Sequence, residues 1–242
     1  MLHHSGTLAV IVAIAATSVS AEIPSLDLTL STGRDTVALS DDAPTSLFSS
    51  WLYKDRRETS TTELGYSVLA NRRLDSLVFS FQIANRTSSI QTYTLDASLP
   101  VTAINPLPGP TFVGGSIVGF VTDANRDGTA TLSTAGSTPL LQGFIDGRRS
   151  LSLIDTPLTA SAPFLGGTGV IAPDSAGLPG LKAIYAGNAM LSDIGVRLTF
   201  TLTPGDSAIL GGLFLARRVP APATIAMLIL VGSPTKRRRD RR

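Results

Sequence analysis

Side chains that carry oxygen ligands occupy alternate positions in one short stretch. The stretch contains Asp123, Asn125 and Asp127, followed by Gly128 and Thr129. This order is the same as at the start of an EF-hand calcium loop, which has alternating carboxylate and amide oxygens, a glycine at the sharp turn and then a main-chain carbonyl. The twelfth position is Thr134 instead of the bidentate glutamate of that loop. The pattern predicts a weak Ca²⁺ site on Asp123, Asn125, Asp127 and the Thr129 carbonyl, and an Asn/Asp/Gly hairpin turn is the alternative.

Histidine and cysteine are missing from the chain after His4. Without them, Ser-His-Asp and Cys-His catalysis cannot be assembled. The usual zinc and copper ligand sets and disulfide bonds are excluded for the same reason. No catalytic residue and no cofactor other than Ca²⁺ is therefore predicted.

Carbohydrate chemistry is the alternative that the remaining side chains allow. A glycosidase needs two carboxylates across a cleft, and Asp55 with Glu58 or Glu63 are candidates. Trp51 and Tyr53 could form a platform for a sugar ring, although a single tryptophan is commonly a core anchor. We predict a non-enzymatic protein, with a carbohydrate-binding or carbohydrate-cleaving module as the alternative.

Other polar motifs are interpreted as structural. The pairs Arg56-Arg57 and Arg72-Arg73 are predicted to be solvated strand ends and not a phosphate site. Asn85-Arg86-Thr87 fits a glycosylation sequon, but the surrounding polar stretch favours a turn.

The elements that would position these residues are β-strands. Residues 77–83 and 91–99 are rich in β-branched and aromatic side chains, and we predict that they form a hairpin. Residues 195–203 alternate most clearly, with Val196, Leu198, Phe200 and Leu202 on a core face and Arg197, Thr199, Thr201 and Thr203 on a solvated face. The turn at 203–206 leads into another strand at 207–216.

Turn signals predict how the strands are joined. Asp146-Gly147 indicates a type I′ hairpin because both central residues need positive φ, and Asp127-Gly128 is interpreted in the same way. Residues 157–180 are predicted to be a long loop with one short strand at 169–172. About ten strands and no long amphipathic helix predict a single all-β sandwich of jelly-roll or Greek-key type.

The charge of the chain is divided unevenly along its 242 residues. Residues 22–218 hold 14 basic and 17 acidic side chains, a net charge of −3, whereas residues 219–242 hold 6 basic and 1 acidic, a net charge of +5. A nucleic-acid binder would need its basic patch on the folded domain. Nucleic acid is therefore excluded as a partner.

The N-terminus has the features of a secretory signal peptide. Residues 8–16 are apolar, and the small residues 19–21 end in Ala21, after which we expect cleavage. The predicted signal helix spans residues 1–21, and export through Sec-type machinery follows. An uncleaved N-terminal anchor is the alternative, although the apolar run is short for spanning a bilayer.

The C-terminal 24 residues combine a Pro-x-Pro element, an apolar segment and a basic cluster. The run 221–232 provides 12 residues, fewer than the roughly 20 that a spanning helix needs, so a short apolar helix would anchor the chain only temporarily. The basic cluster would stay on the cytoplasmic side. A disordered basic tail that contacts acidic lipid or nucleic acid is the alternative. The predicted membrane residues are Ile225, Met227, Leu228, Ile229, Leu230, Arg237, Arg238 and Arg239.

This tail resembles the PEP-CTERM sorting signal of exported bacterial envelope proteins, although Ala221 stands where that family has glutamate. The resemblance implies transient inner-membrane anchoring and processing by an exosortase-like enzyme at Pro220, Ala221 and Pro222. It implies delivery to the cell envelope or extracellular matrix, with exopolysaccharide or surface proteins as partners.

The middle of the chain is similar to secreted PEP-CTERM proteins that carry a TDA..DG loop and an LTPGDSA turn. Those motifs stand here at residues 122–128 and 202–208. The chain is therefore expected to have a signal peptide at 1–21, a β-sandwich at 22–218 and a sorting signal at 219–242, and to serve a structural or adhesive role.

Overall fold

The computed structural model describes residues 23–33, 35–41, 43–47, 50–71, 76–100, 111–178, 184–185 and 192–218. These residues form an all-β fold without a helix. The strands are β1 (Leu26–Thr32), β2 (Thr36–Asp41), β3 (Thr45–Leu47), β4 (Ser50–Glu58), β5 (Thr62–Asn71), β6 (Ser76–Asn85), β7 (Gln91–Pro100), β8 (Thr111–Thr122), β9 (Ala130–Thr134), β10 (Leu141–Ile145), β11 (Arg148–Leu153), β12 (Thr159–Ala162), β13 (Thr168–Ala176), β14 (Ile184–Tyr185), β15 (Asp193–Leu202) and β16 (Ser207–Arg218).

The strands form two antiparallel sheets. The first sheet has the order β11-β10-β15-β7-β1-β2, and β9 pairs with both β15 and β12. The second sheet has the order β13-β8-β16-β6-β5-β4-β3, and β14 also pairs with β8. The prediction of an all-β fold is confirmed, although the described strands outnumber the expected ten.

Buried side chains from both sheets form one hydrophobic core. The alternation of buried and exposed residues is nearly complete in β5 and β6, as expected for strands with one face on a core. The largest fully buried side chains include Tyr53 and Phe81 from the second sheet and Tyr93 and Phe200 from the first. Phe200 and Tyr93 contact each other with their ring centroids 5.6 Å apart.

Some connections stay within one sheet, and others cross between the sheets. The Asp146-Gly147 hairpin is confirmed, because β10 and β11 pair and both turn residues have positive φ. The predicted hairpin of β6 with β7 is wrong, since β6 pairs with β5 and β16 whereas β7 pairs with β1 and β15. The Asp127-Gly128 hairpin is wrong for the same reason: β8 and β9 belong to different sheets.

Two other expectations need correction. The region 157–180 is not mainly loop, because it contains β12 and β13. The short strand predicted at 169–172 lies within β13. Within β15 the predicted core side chains are buried, but Thr199 on the predicted solvated face is also only 8% exposed. Strand β15 lies inside the first sheet, and the Thr199 amide donates to the carbonyl of Leu140 on the β9–β10 connection, which lies beside this residue.

In the part of the chain that the structure describes, no helix has the length and apolar character needed to cross a membrane. The predicted signal helix, the Ala21 cleavage site, the Pro-x-Pro element and the apolar and basic tail all lie outside the described residues.

Candidate functional site

The loop at 123–129 connects β8 of the second sheet to β9 of the first, and Asp123 is its buried centre. This side chain is 1% exposed. Its Oδ2 atom accepts hydrogen bonds from the amides of Gly128 and Gly166, both at 2.9 Å, and its Oδ1 atom accepts one from the amide of Asp127 at 3.2 Å. Asp123 therefore shapes its own loop and also fixes the β12–β13 connection against it.

Asn125 and Asp127 continue the pattern on the exposed side of the loop. The amide of Asp127 donates to Asn125 Oδ1 at 2.9 Å, and Asn125 Nδ2 donates to Asp127 Oδ2 at 3.0 Å. Asp127 Oδ1 accepts from the Thr129 amide and hydroxyl. The hydrogen bonds from Thr129, the hydroxyl first, lower the pKa of Asp127. This carboxyl group is therefore ionised at neutral pH.

The turn at 203–206 between β15 and β16 lies directly against this loop. Asn125 Nδ2 donates to the Pro204 carbonyl at 2.9 Å. Gly205, with φ of +72°, is so close to Asn125 that a Cβ atom there would lie 2.7 Å from Nδ2. The fold thus brings together two stretches that the sequence showed only as separate motifs.

Asp206 ends that turn and is fully buried, at 0% exposed. Its Oδ2 atom accepts a hydrogen bond from the Thr203 hydroxyl, whereas Oδ1 has no hydrogen-bond partner of ordinary geometry within the described residues. Burial is the largest cause of the raised pKa of Asp206, and the nearby Asp127 and Asp123 carboxylates raise it further. The hydrogen bond from the Thr203 hydroxyl lowers this pKa. The Ala124 amide faces the carboxyl and lowers its pKa. Asp206 is thus a buried acid at the inner side of the loop.

Asn85, the last residue of β6, also holds the turn at 203–206. It is 1% exposed, and its Nδ2 atom lies 2.9 to 3.0 Å from the carbonyls of Ser89, Leu202 and Thr203. Its Oδ1 atom accepts from the amide and hydroxyl of Thr87. The structure therefore places the sequon asparagine inside the protein as an organiser of the turn.

The predicted calcium ligands Asp123, Asn125, Asp127 and Thr129 are together in one loop. The twelfth position, Thr134, lies in β9 opposite Phe200 and away from the turn. Within the described ranges, no three His, Cys, Asp or Glu side chains are arranged to hold a metal by themselves. A cation here would also need amide and main-chain oxygens.

The proposed aromatic platform is contradicted by the burial of both rings. Trp51 is 5% exposed and Tyr53 is 0% exposed, and the Tyr53 hydroxyl donates to the Pro24 carbonyl. Both side chains point into the core on the inner face of β4. They are core anchors and cannot stack on a sugar.

The candidate carboxylates of the carbohydrate alternative are held in ion pairs with arginines. Arg86 pairs with Glu58 at 2.9 Å and also with Glu63, Arg56 pairs with Glu63, and Arg57 pairs with Asp55 at 2.7 Å. The hydrogen bond from Arg86 lowers the pKa of Glu63. These acids form a surface network on β4 and β5. Arg56 and Arg57 are exposed members of this network, in agreement with the prediction that they are solvated. Arg72 and Arg73 lie outside the described residues.

A pocket of about 310 Å³ opens between β1, β2 and the β4–β5 turn. Leu30, Leu39 and Leu64 form its apolar wall, and threonines form much of its rim. Asp35 is the one carboxylate among its described lining residues. The pocket therefore lacks the pair of facing acids that glycoside hydrolysis requires.

Sequence reasoning missed Asp206 and Asn85 as members of the site. The LTPGDSA motif contains Asp206, but its aspartate could not be connected to the 123–129 loop without knowledge of the strand pairing. The sequence assigns Asn85 to a sequon and a turn, and no local pattern connects it to this site. Comparison with known proteins adds no relative: no family model matches the chain, and no curated protein matches it.

Proposed function

We propose that this protein is an exported, non-enzymatic component of the cell envelope or extracellular matrix with a structural or adhesive role. The order of a leader, an acidic β-rich region and a basic C-terminal tail carries this proposal. For the β-rich region we propose a sandwich of jelly-roll or Greek-key type. Two antiparallel sheets around a shared core and repeated crossings between them support that architecture.

The proposed route begins with Sec-type export and cleavage after Ala21. The tail then holds the protein at the inner membrane, where an exosortase-like enzyme processes it near Pro220 to Pro222. The resemblance of the tail to PEP-CTERM signals supports this step, as does an apolar run too short for a comfortable membrane span.

Intact mass spectrometry of the extracellular form tests the route. In a host that carries an exosortase, the mature protein is expected to begin near Glu22 and to end near Pro220. Replacement of both prolines, Pro220→Ala with Pro222→Ala, should leave the tail attached and keep the protein in the membrane fraction. A full-length C-terminus on the secreted parent protein would contradict the sorting proposal.

An exposed apolar row on the outer face of the second sheet supports an adhesive role. Val170 on β13, Phe120 on β8 and Ile209 on β16 lie beside one another in the strand register. They are 62%, 42% and 42% exposed, respectively, and Val118 follows on β8. Contiguous exposed apolar side chains mark contact surfaces on soluble proteins. The row favours a surface protein as the partner over exopolysaccharide.

The substitution Ile209→Thr tests the role of this row. Threonine keeps the β-branched shape that strands favour but removes apolar contact area. We expect a several-fold loss of the exported protein from the washed cell-surface fraction. Ile90→Thr is the matched control, because Ile90 is 65% exposed on the β6–β7 loop, outside the row. Equal retention of both variants and the parent would remove the row from the proposal and favour exopolysaccharide.

A further inference from the structure

The loop at 123–129 and the turn at 203–206 enclose acidic groups that have no basic partner in the part of the chain that the structure describes. Asp123 and Asp206 are buried, and Asp127 lies above them on the exposed side of the loop. None of the ion pairs among the described residues includes any of the three. Buried charges in proteins are normally paired or bound to a metal.

Free acceptor positions remain at this place after all described hydrogen bonds are assigned. Each carboxylate oxygen can accept about two hydrogen bonds. Asp123 Oδ1, Asn125 Oδ1 and Asp127 Oδ2 accept one each. The Oδ1 atom of Asp206 is buried and accepts no hydrogen bond of ordinary geometry from the described residues, although the Ala124 amide faces the carboxyl group. Hydrogen bonds within the loop thus hold its conformation, and these four oxygens still have lone pairs that could bind a ligand.

The chemistry of these groups selects a hard cation. All the candidate ligands are carboxylate, amide or carbonyl oxygens, which Ca²⁺ binds with six to eight ligands in flexible geometry. Mg²⁺ demands near-ideal octahedral geometry and gives up its waters reluctantly. Asp123, Asn125 and Asp127 stand at the first, third and fifth ligand positions, and Gly128 with φ of +91° makes the turn at the sixth.

We infer that Asp123, Asn125, Asp127 and the Thr129 carbonyl bind one Ca²⁺ together with Asp206, which takes the place of the glutamate missing from the twelfth loop position. The cation lies between the β8–β9 loop and the β15–β16 turn. Because both connections cross from one sheet to the other, bound Ca²⁺ ties the two sheets together at this end. The site operates in the full chain whether or not the protein is exported.

Thermal unfolding and calorimetric titration of the full chain test this inference, with CaCl₂, MgCl₂ or a chelator present. Millimolar Ca²⁺ is expected to raise the Tm, and the increase should grow with Ca²⁺ concentration because the ligand binds only the folded state. Mg²⁺ should produce a smaller shift. No calcium-dependent shift and no binding heat in the parent protein, or equal effects of the two ions, would overturn the inference.

Asp206→Asn is the deciding variant. It removes the buried charge while keeping the side-chain shape, so the metal-free variant should melt at or above the temperature of the parent, and its Ca²⁺ affinity should fall about tenfold or more because affinity follows the charge of the ligands. Asp155→Asn is the matched control, because Asp155 is exposed on another connection, and it should bind Ca²⁺ like the parent.

Asp127→Asn provides a second variant at an exposed ligand, where folding is less at risk. It too should weaken Ca²⁺ binding, since asparagine keeps an acceptor for Thr129 but loses the charge. If Asp127→Asn weakens binding and Asp206→Asn binds like the parent, the turn does not supply a ligand and the inference is wrong.

Discussion

Asn85→Ala should lower the free energy of unfolding of the full chain by about 3 kcal/mol or more. The amide group of Asn85 faces three main-chain carbonyls, at Ser89, Leu202 and Thr203. Alanine removes this donor from the carbonyls of Leu202 and Thr203, whereas the Ser89 carbonyl keeps the Thr87 hydroxyl as a donor. Each unsatisfied buried group costs about 1–3 kcal/mol. For a domain of this size the Tm should fall by about 6–12 °C.

The reason for so large an effect is the place of Asn85 in the fold. Its main-chain amide donates to the Asp206 carbonyl, and its carbonyl accepts from the Gly205 amide. Main chain and side chain together fasten the end of β6 to the β15–β16 turn. Loss of the side chain therefore loosens a connection between the two sheets as well as single hydrogen bonds.

Urea unfolding of three variants checks this prediction. Gln82→Ala is the matched control, because Gln82 carries the same amide group on the exposed face of β6, and its effect should stay within about 0.5 kcal/mol. Asn85→Asp should be no better than alanine, because a carboxylate cannot donate to the three carbonyls. An Asn85→Ala protein as stable as the Gln82→Ala protein would show that the turn does not depend on this side chain.

The strands themselves were predictable because their signals are local. Alternation of apolar and polar residues located β15, β-branched and aromatic content located β6 and β7, and the turn at 203–206 located β16, all within a few residues. The Asp146-Gly147 hairpin was also predictable. A two-residue connection is too short to do anything but join neighbouring strands, and its two positive φ angles need these residue types.

The pairing of strands was less predictable, because loops of similar composition can either close a hairpin within one sheet or cross to the other sheet. The connections 86–90 and 123–129 contain five and seven residues, enough to span the roughly 10 Å between packed sheets. Their Asn, Asp and Gly residues fit a hairpin equally well. Which sheet the next strand joins depends on burial across the entire core, and no local pattern records it.

Strand β12 was missed, and β13 was predicted only at residues 169–172, for a compositional reason. Glycine, proline and alanine have low strand propensity, and these residues dominate the region. Strand β13 accommodates Pro173 within the register shift between Ile171 and Asp174, at the edge of the second sheet. Proline is tolerated at such bulges and edges because no ladder hydrogen bond is required there. The candidate site could not be predicted in full either, because Asp206 is brought next to the 123–129 loop only by the pairing of strands distant in sequence.

The packing between the sheets gives the second large effect, through Phe214 on β16 and Gly143 on β10. Phe214 is fully buried, and a Cβ atom added at Gly143 would fall into its ring. Phe214→Ala should therefore cost about 3–5 kcal/mol through the cavity it leaves. Gly143→Ala should cost about 1–3 kcal/mol through overpacking.

The double variant tells whether these two costs have one cause. If the ring of Phe214 is what excludes a side chain at Gly143, then Gly143→Ala should cost little or nothing in the Phe214→Ala background, so the two effects should not add. Gly33→Ala is the control, since no atom lies within 4 Å of its added Cβ, and its stability should stay near that of the parent. Additive costs in urea unfolding would contradict direct contact between the glycine of one sheet and the ring of the other.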